Sequence, residues 1–227
     1  MELITSSTNT YPYRAYIEDL LSHGADSKES QMTAALFYKD APGKMGVANS
    51  RAAVADRNHG LTKRAEFTTE SRVVDMIGRL HCDIFFQERY LLNEVNTKIR
   101  LIRSRDNFCL MSTGQFKVKI MAASLLVRKV KVSPSVFLAH AKTLEKSLAK
   151  YPVRRVVCKT FTIPTGHLDA TNEKLFTGQL PRRTVIEMVD NEAFNGAFGH
   201  NQFNFKHISL NEIALYLDGQ QHGIKPL

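Results

Sequence analysis

Cysteine is scarce in this chain. Cys82, Cys109 and Cys158 are the only three among 227 residues; they lie far apart and none belongs to a CxxC pair. That excludes a disulfide framework and argues against a zinc site. No run approaches the roughly 18 consecutive apolar residues of a membrane-spanning helix. The N-terminal sequence MELITSST has neither a charged region nor an apolar core of the kind a secretory signal needs. The expectation is an intracellular, unsecreted protein in reducing surroundings, with no membrane partner.

Local catalytic devices are equally sparse. No HExxH, GxSxG or GxxxxGK[ST] pattern occurs. His200 and His207 stand seven apart, and His81 adjoins Cys82-Asp83, without the spacing of a known ligand set. Gly43-Lys44 with Gly46 reads as a flexible turn. Glu88, Glu94 and Asp106 sit near Arg89, Lys98 and Arg100, so surface ion pairing accounts for them. No catalytic residue, cofactor or metal is expected.

What is present is a globular composition, 43% hydrophobic, with 31 Lys and Arg against 22 Asp and Glu and a net charge of +9. That excess favours polyanionic partners. Basic residues cluster at 98–105, 128–131 and 150–159, in part on the outer side of alternating strand patterns, where a solvated strand face is the favoured reading.

Periodicity gives the elements. Pro12 suits a first helical turn, and Tyr13, Ile17, Leu20 and Leu21 share a face up to Gly24, which predicts a short N-terminal helix. Residues 22–69 read mostly as loop, with 34–38 apolar enough to pack. Alternation predicts strands at 72–80, 82–86, 95–101, 116–120 and 125–132. Ser133-Pro134 opens a helix whose stripe is Phe137, Ala141, Leu144 and Leu148, ending at Tyr151-Pro152. Further strands are predicted at 157–163, 184–189 and 208–217, the last followed by an Asp218-Gly219 turn.

Between the final two strands lies a connector rich in Phe and Asn. Its Phe194, Asn195, Phe198, Asn201, Phe203 and Phe205 are the candidate subunit-contact residues, with 34–38 second. Packing of this connector, within its own domain or against a neighbouring subunit, is favoured over stacking on nucleic-acid bases.

The run VDNEAFNGAFGHNQFNFKHISLNEIALYLDGQ at 189–220 resembles the major capsid proteins of Polinton (Maverick) elements and related double-stranded DNA viruses. So do residues 4–21, 74–102 and 159–167, in the same order. The resemblance implies a mainly β fold, with antiparallel jelly-roll sandwiches forming part of a double jelly roll, plus the short N-terminal helix and a linker helix. On that scheme residues 1–132 are the later part of a first roll, 133–152 the linker helix and 153–227 the opening strands of a second.

The ends of the chain, MELITSSTNTYPY and LYLDGQQHGIKPL, look like equivalent points of a duplicated unit, so a part-length copy is expected. The function implied is that of a structural capsid protein, located in a virion shell if assembled. Its partners would be copies of itself in a homotrimer and shell lattice, with weak nucleic-acid contact through the basic faces. The rival reading is a basic nucleic-acid-binding β-protein. An enzyme on a jelly-roll scaffold would need a His and carboxylate metal set that the sequence does not offer.

Overall fold

The computed structural model describes residues 10–93 and 95–222. The readings made of residues 1–9, of Glu94 and of the last five residues lie outside them.

Helices form where local chemistry calls for them. Helix α1 (Tyr11–Ser22) has Pro12 in its first turn and stops short of Gly24. Helix α2 (Ala25–Glu29) and a 3₁₀ turn (Gln31–Ala35) follow. Helix α3 (His59–Thr68) is capped by Asn58, whose side chain accepts from the Gly60 amide. Helix α4 (Asp106–Cys109) is a single turn. Helix α5 (Pro134–Leu144) starts at Ser133-Pro134, and the Phe137 amide donates to the Ser133 carbonyl. It ends at Leu144, short of the expected Tyr151-Pro152. Helix α6 (Asn191–Asn195) lies in the Phe- and Asn-rich connector.

The expectation of a mainly β fold is overturned. Among the described residues the strands are β1 (Leu215–Leu217) and β2 (Gln220–His222), three residues each, paired antiparallel in one sheet. The β-sandwich, the jelly rolls and the double jelly roll are not the architecture of this chain. Residues 72–80, 95–101, 116–120, 125–132, 157–163 and 184–189 are irregular, and a 3₁₀ turn (Asp83–Phe86) replaces the strand expected at 82–86.

The physical reason is that alternation specifies which face a strand would bury, not which strand it pairs with. Pairing across long loops carries a closure cost that must be met by lateral hydrogen bonds. Residues 119–132 make no hydrogen bond to any other segment among those described. The hairpin that does form needs only a two-residue local turn.

The chain divides into two compact units, each gathered from three stretches. One comprises Met1–Ser22, Arg79–Arg103 and Lys117–Cys158; the other comprises His23–Gly78, Ser104–Phe116 and Lys159–Leu227. Polar side chains dominate what is buried: Thr10, Arg14, Asn58, His81, Asp83, Asn201 and Gln202, against the apolar Tyr13, Leu61 and Ala193. These buried polar residues take part in hydrogen bonds or ion pairs, as burial requires.

Much apolar surface stays outside. The accessible area is 18937 Å², whereas even two separately folded domains of this total mass would expose about 12,500 Å².

Candidate functional site

In the first unit the most organised polar cluster surrounds Arg14 on α1. Helical spacing sets Glu18 one turn on, and Arg14 Nε donates to Glu18 Oε1 at 2.9 Å. Arg14 Nη2 pairs with Asp83 Oδ1, which also accepts from the Val156 amide at 3.4 Å. Burial works against the Arg14 charge, but hydrogen bonds and the charges of Asp83 and Glu18 prevail and raise its pKa above the ordinary value.

His81 completes the cluster. Its Nδ1 lies 2.7 Å from Glu18 Oε2, its Nε2 3.5 Å from Asp19 Oδ1, and its backbone amide donates to the Tyr11 hydroxyl at 3.0 Å. The ring tilts against Phe86, with centroids 5.8 Å apart, and the Arg79 guanidinium sits 4.2 Å from the Phe86 ring centre. Both imidazole nitrogens face carboxylates of α1, so the ring ties that helix to residues 79–86. Tyr13, buried on the same helix, has its phenol pushed up to about 12, first by burial and then by the charge of Cys158.

The second unit contains the connector singled out as a subunit-contact loop. Phe194 and Asn195 lie on α6, where the exposed Asn195 side chain bonds back to the Asn191 carbonyl at 2.8 Å. The Phe198 carbonyl accepts from the Ser112 amide at 2.8 Å. Phe203 meets Phe108 edge-on, with centroids 6.4 Å apart, and Gln202 donates to the Asn107 carbonyl at 3.3 Å. Asn201 is buried; its Nδ2 donates to Asp40 Oδ2 at 2.9 Å, and its Oδ1 accepts from the Phe203 amide at 2.9 Å. Phe205 is half-buried beside them. Asn201, Phe198 and Phe203 are thus engaged inside their own unit, while Asn195 faces outward.

Asp40 is the hub of this unit. It pairs with Arg64 of α3 at 2.5 Å, and Arg64 also donates to the Tyr38 carbonyl at 2.7 Å. The Asp40 carboxylate lies against the first turn of α3, where the unpaired amides favour an anion. The apolar segment at 34–38 joins the same unit: the Ala34 carbonyl accepts from the Ile77 amide at 3.0 Å, and Tyr38 stacks on Phe67 at 6.0 Å.

Other sequence candidates are placed as follows. His200 lies 3.2 Å from Glu192, and the His207 ring accepts from the Ser209 amide at 3.3 Å. Among the described residues no group of three or more His, Cys, Asp or Glu could hold a metal ion. Gly43 takes φ 71° and the Lys44 amide donates back to the Ala41 carbonyl, forming a turn. Cys82, Cys109 and Cys158 form no disulfide among the described residues.

Sequence reasoning missed the Arg14 and Asp83 pairing, although the four-residue spacing of Arg14 and Glu18 was visible. It also missed a surface feature: every residue from 115 to 150 is exposed.

No family model matches the sequence, and no solved structure matches it. A relative in Caenorhabditis elegans, itself described as uncharacterized, is 28% identical over 232 residues, an alignment that covers 100% of this chain and 52% of that protein. The chain therefore spans about half the length of the curated relative it matches.

Proposed function

We propose that this chain is part of a structural protein whose copies assemble, a capsid-type subunit encoded by a virus or a virus-derived element. The resemblance of residues 4–21, 74–102, 159–167 and 189–220 to capsid proteins motivates the reading. The observation that carries it is the surface of 18937 Å², about half as much again as two folded domains of this mass would expose. Large apolar side chains stand among that exposed surface, and where they gather they mark surfaces that other protein covers. Val73, Leu168, Leu180 and Ile208 are 82%, 104%, 61% and 52% exposed. Mechanism in such a protein is assembly: burial of these side chains between copies drives association, and symmetric closure limits its size.

Light scattering across a concentration series, followed by electron microscopy of the associated material, tests the proposal. Concentration-dependent oligomers with a regular repeat are expected. A monomer at all concentrations that melts in one cooperative transition would overturn it.

A further inference from the structure

Ten of the chain's 31 Lys and Arg, but only one of its 22 Asp and Glu, fall within Lys117–Cys158. This stretch therefore carries the whole net charge of +9, and the rest of the chain holds 21 of each sign. The same stretch contains most of the continuously exposed run 115–150, and within it lies α5, a helix with no buried residue.

At roughly 3.6 residues per turn, Phe137, Ala141 and Leu144 share one face of α5, while Lys142 points to the opposite side. Helical backbone bonding continues through Ser147, whose amide donates to the Thr143 carbonyl at 2.9 Å. Lys146 therefore follows Lys142 on the same side, and the exposed Lys150 lies in the irregular segment just beyond. Val136, Phe137, Leu138 and Leu144 are 41%, 48%, 58% and 43% exposed. A helix of 11 residues with no packed face is marginal in water by itself.

We infer that α5 and the lysines that follow it form a docking face for an anionic lipid surface, with the apolar side entering the headgroup boundary and the lysines held by acidic headgroups. Charge and apolarity together select this occupant. A nucleic-acid duplex would satisfy the lysines but offers no apolar phase to Phe137 and Leu144. A second copy would offer an apolar face but would bring another stretch of net +9 against the first. A bilayer with acidic headgroups supplies both the negative potential and the apolar boundary that such a helix needs. The contact is peripheral: among the described residues no helix is long and apolar enough to cross a membrane.

The full chain lacks tryptophan, so Leu144→Trp introduces a single indole on the apolar face. Vesicles of phosphatidylcholine mixed with phosphatidylserine should bind the protein and shift the indole emission to the blue, and vesicles of phosphatidylcholine alone should not. Replacing Lys142, Lys146 and Lys150 with Gln should weaken binding about fivefold for each lysine, and Phe137→Ser should remove the emission shift. All these side chains are exposed, and circular dichroism of each variant without vesicles verifies that the fold is kept.

Equal binding to both kinds of vesicle, or binding to neither, would overturn the inference. So would an emission shift on raising protein concentration without lipid, which would assign the face to a second copy. Binding of duplex DNA that Phe137→Ser leaves unchanged, in a protein that ignores both kinds of vesicle, would assign the charge to nucleic acid.

Discussion

Arg14 and Asp83, 69 residues apart in sequence, form an ion pair whose side chains are 6% and 2% exposed. Neither charge has water to fall back on; Asp83 depends on Arg14 for its counter-charge, whereas Arg14 also has Glu18 at 2.9 Å. Removing one partner of a buried pair leaves an uncompensated charge and costs about 3–5 kcal/mol, whereas replacing both with apolar groups of similar volume is often neutral. Arg14→Met, which strands the Asp83 carboxylate, should therefore destabilise the first unit by about 3–5 kcal/mol, and Asp83→Leu by less, because Glu18 still faces Arg14. The double change Arg14→Met with Asp83→Leu should cost less than either single change. Urea denaturation followed by circular dichroism at one fixed protein concentration measures both, since association would otherwise shift the midpoint. A double variant weaker than both singles would show that the pair is net stabilising.

Tyr13 gives a pH dependence of defined sign. Its phenol is raised from 10.0 to about 12, chiefly by burial. In the window between those values the folded chain keeps a proton that the unfolded chain has lost. Stability from this residue is complete below the unfolded value and falls as pH rises through the window. Titration of phenolate absorbance should show a late step near 12 that Tyr13→Phe abolishes. Cys158→Ser should lower that step without returning it to 10.0, because burial is the larger cause.

The features legible in the sequence are those fixed by neighbours along the chain. Pro12 and Ser133-Pro134 announce α1 and α5 because N-terminal capping and the fixed φ of proline act within one turn. Asp218-Gly219 announces its turn for the same reason. Residues 125–132 alternate as a strand would, yet stay irregular, because a strand also needs a partner that periodicity cannot name. The wealth of Phe and Asn in the connector is plain in the sequence. That Asn201 would reach Asp40, 161 residues away, was not. The side chain types gave the ability to bond, and only the folded chain could choose the acceptor.

Gly60 is required by close approach. A Cβ there would lie 2.4 Å from Asp40 Oδ1, 2.7 Å from the Lys39 carbonyl oxygen and 2.8 Å from that of Tyr38. Two of these are backbone atoms and cannot swing aside. Gly60→Ala should destabilise the second unit by about 1–3 kcal/mol, reversing the gain usually seen when alanine replaces glycine inside a helix. Gly199 is the control, with nothing within 4 Å and no positive φ. Gly199→Ala should be neutral or stabilising by up to about 1 kcal/mol in the same denaturation experiment. Equal effects at the two positions would mean that the contacts around Gly60 relax freely.

The β1–β2 hairpin depends on two consecutive left-handed residues. Asp218 has φ 49° and Gly219 φ 79°, and this turn sets the register Leu215↔His222, Tyr216↔Gln221, Leu217↔Gln220. Positive φ at both central positions matches the right-handed twist of the flanking strands, and Asp-Gly is among the sequences that adopt it most readily. Gly219→Val forces a β-branched side chain into the left-handed region at a cost of about 1–2 kcal/mol. Strands of three residues have little cross-strand pairing to offset that cost. Amide exchange protection at Leu215–Leu217 should then be lost, along with the nuclear Overhauser contacts across the pair Tyr216↔Gln221. Asp218→Asn should preserve both, because asparagine tolerates the same conformation. If the Gly219→Val protein kept its protection, the register would be held by contacts elsewhere, such as the 3.3 Å bond from Gln221 to Glu212, and the turn would follow the strands instead of setting them.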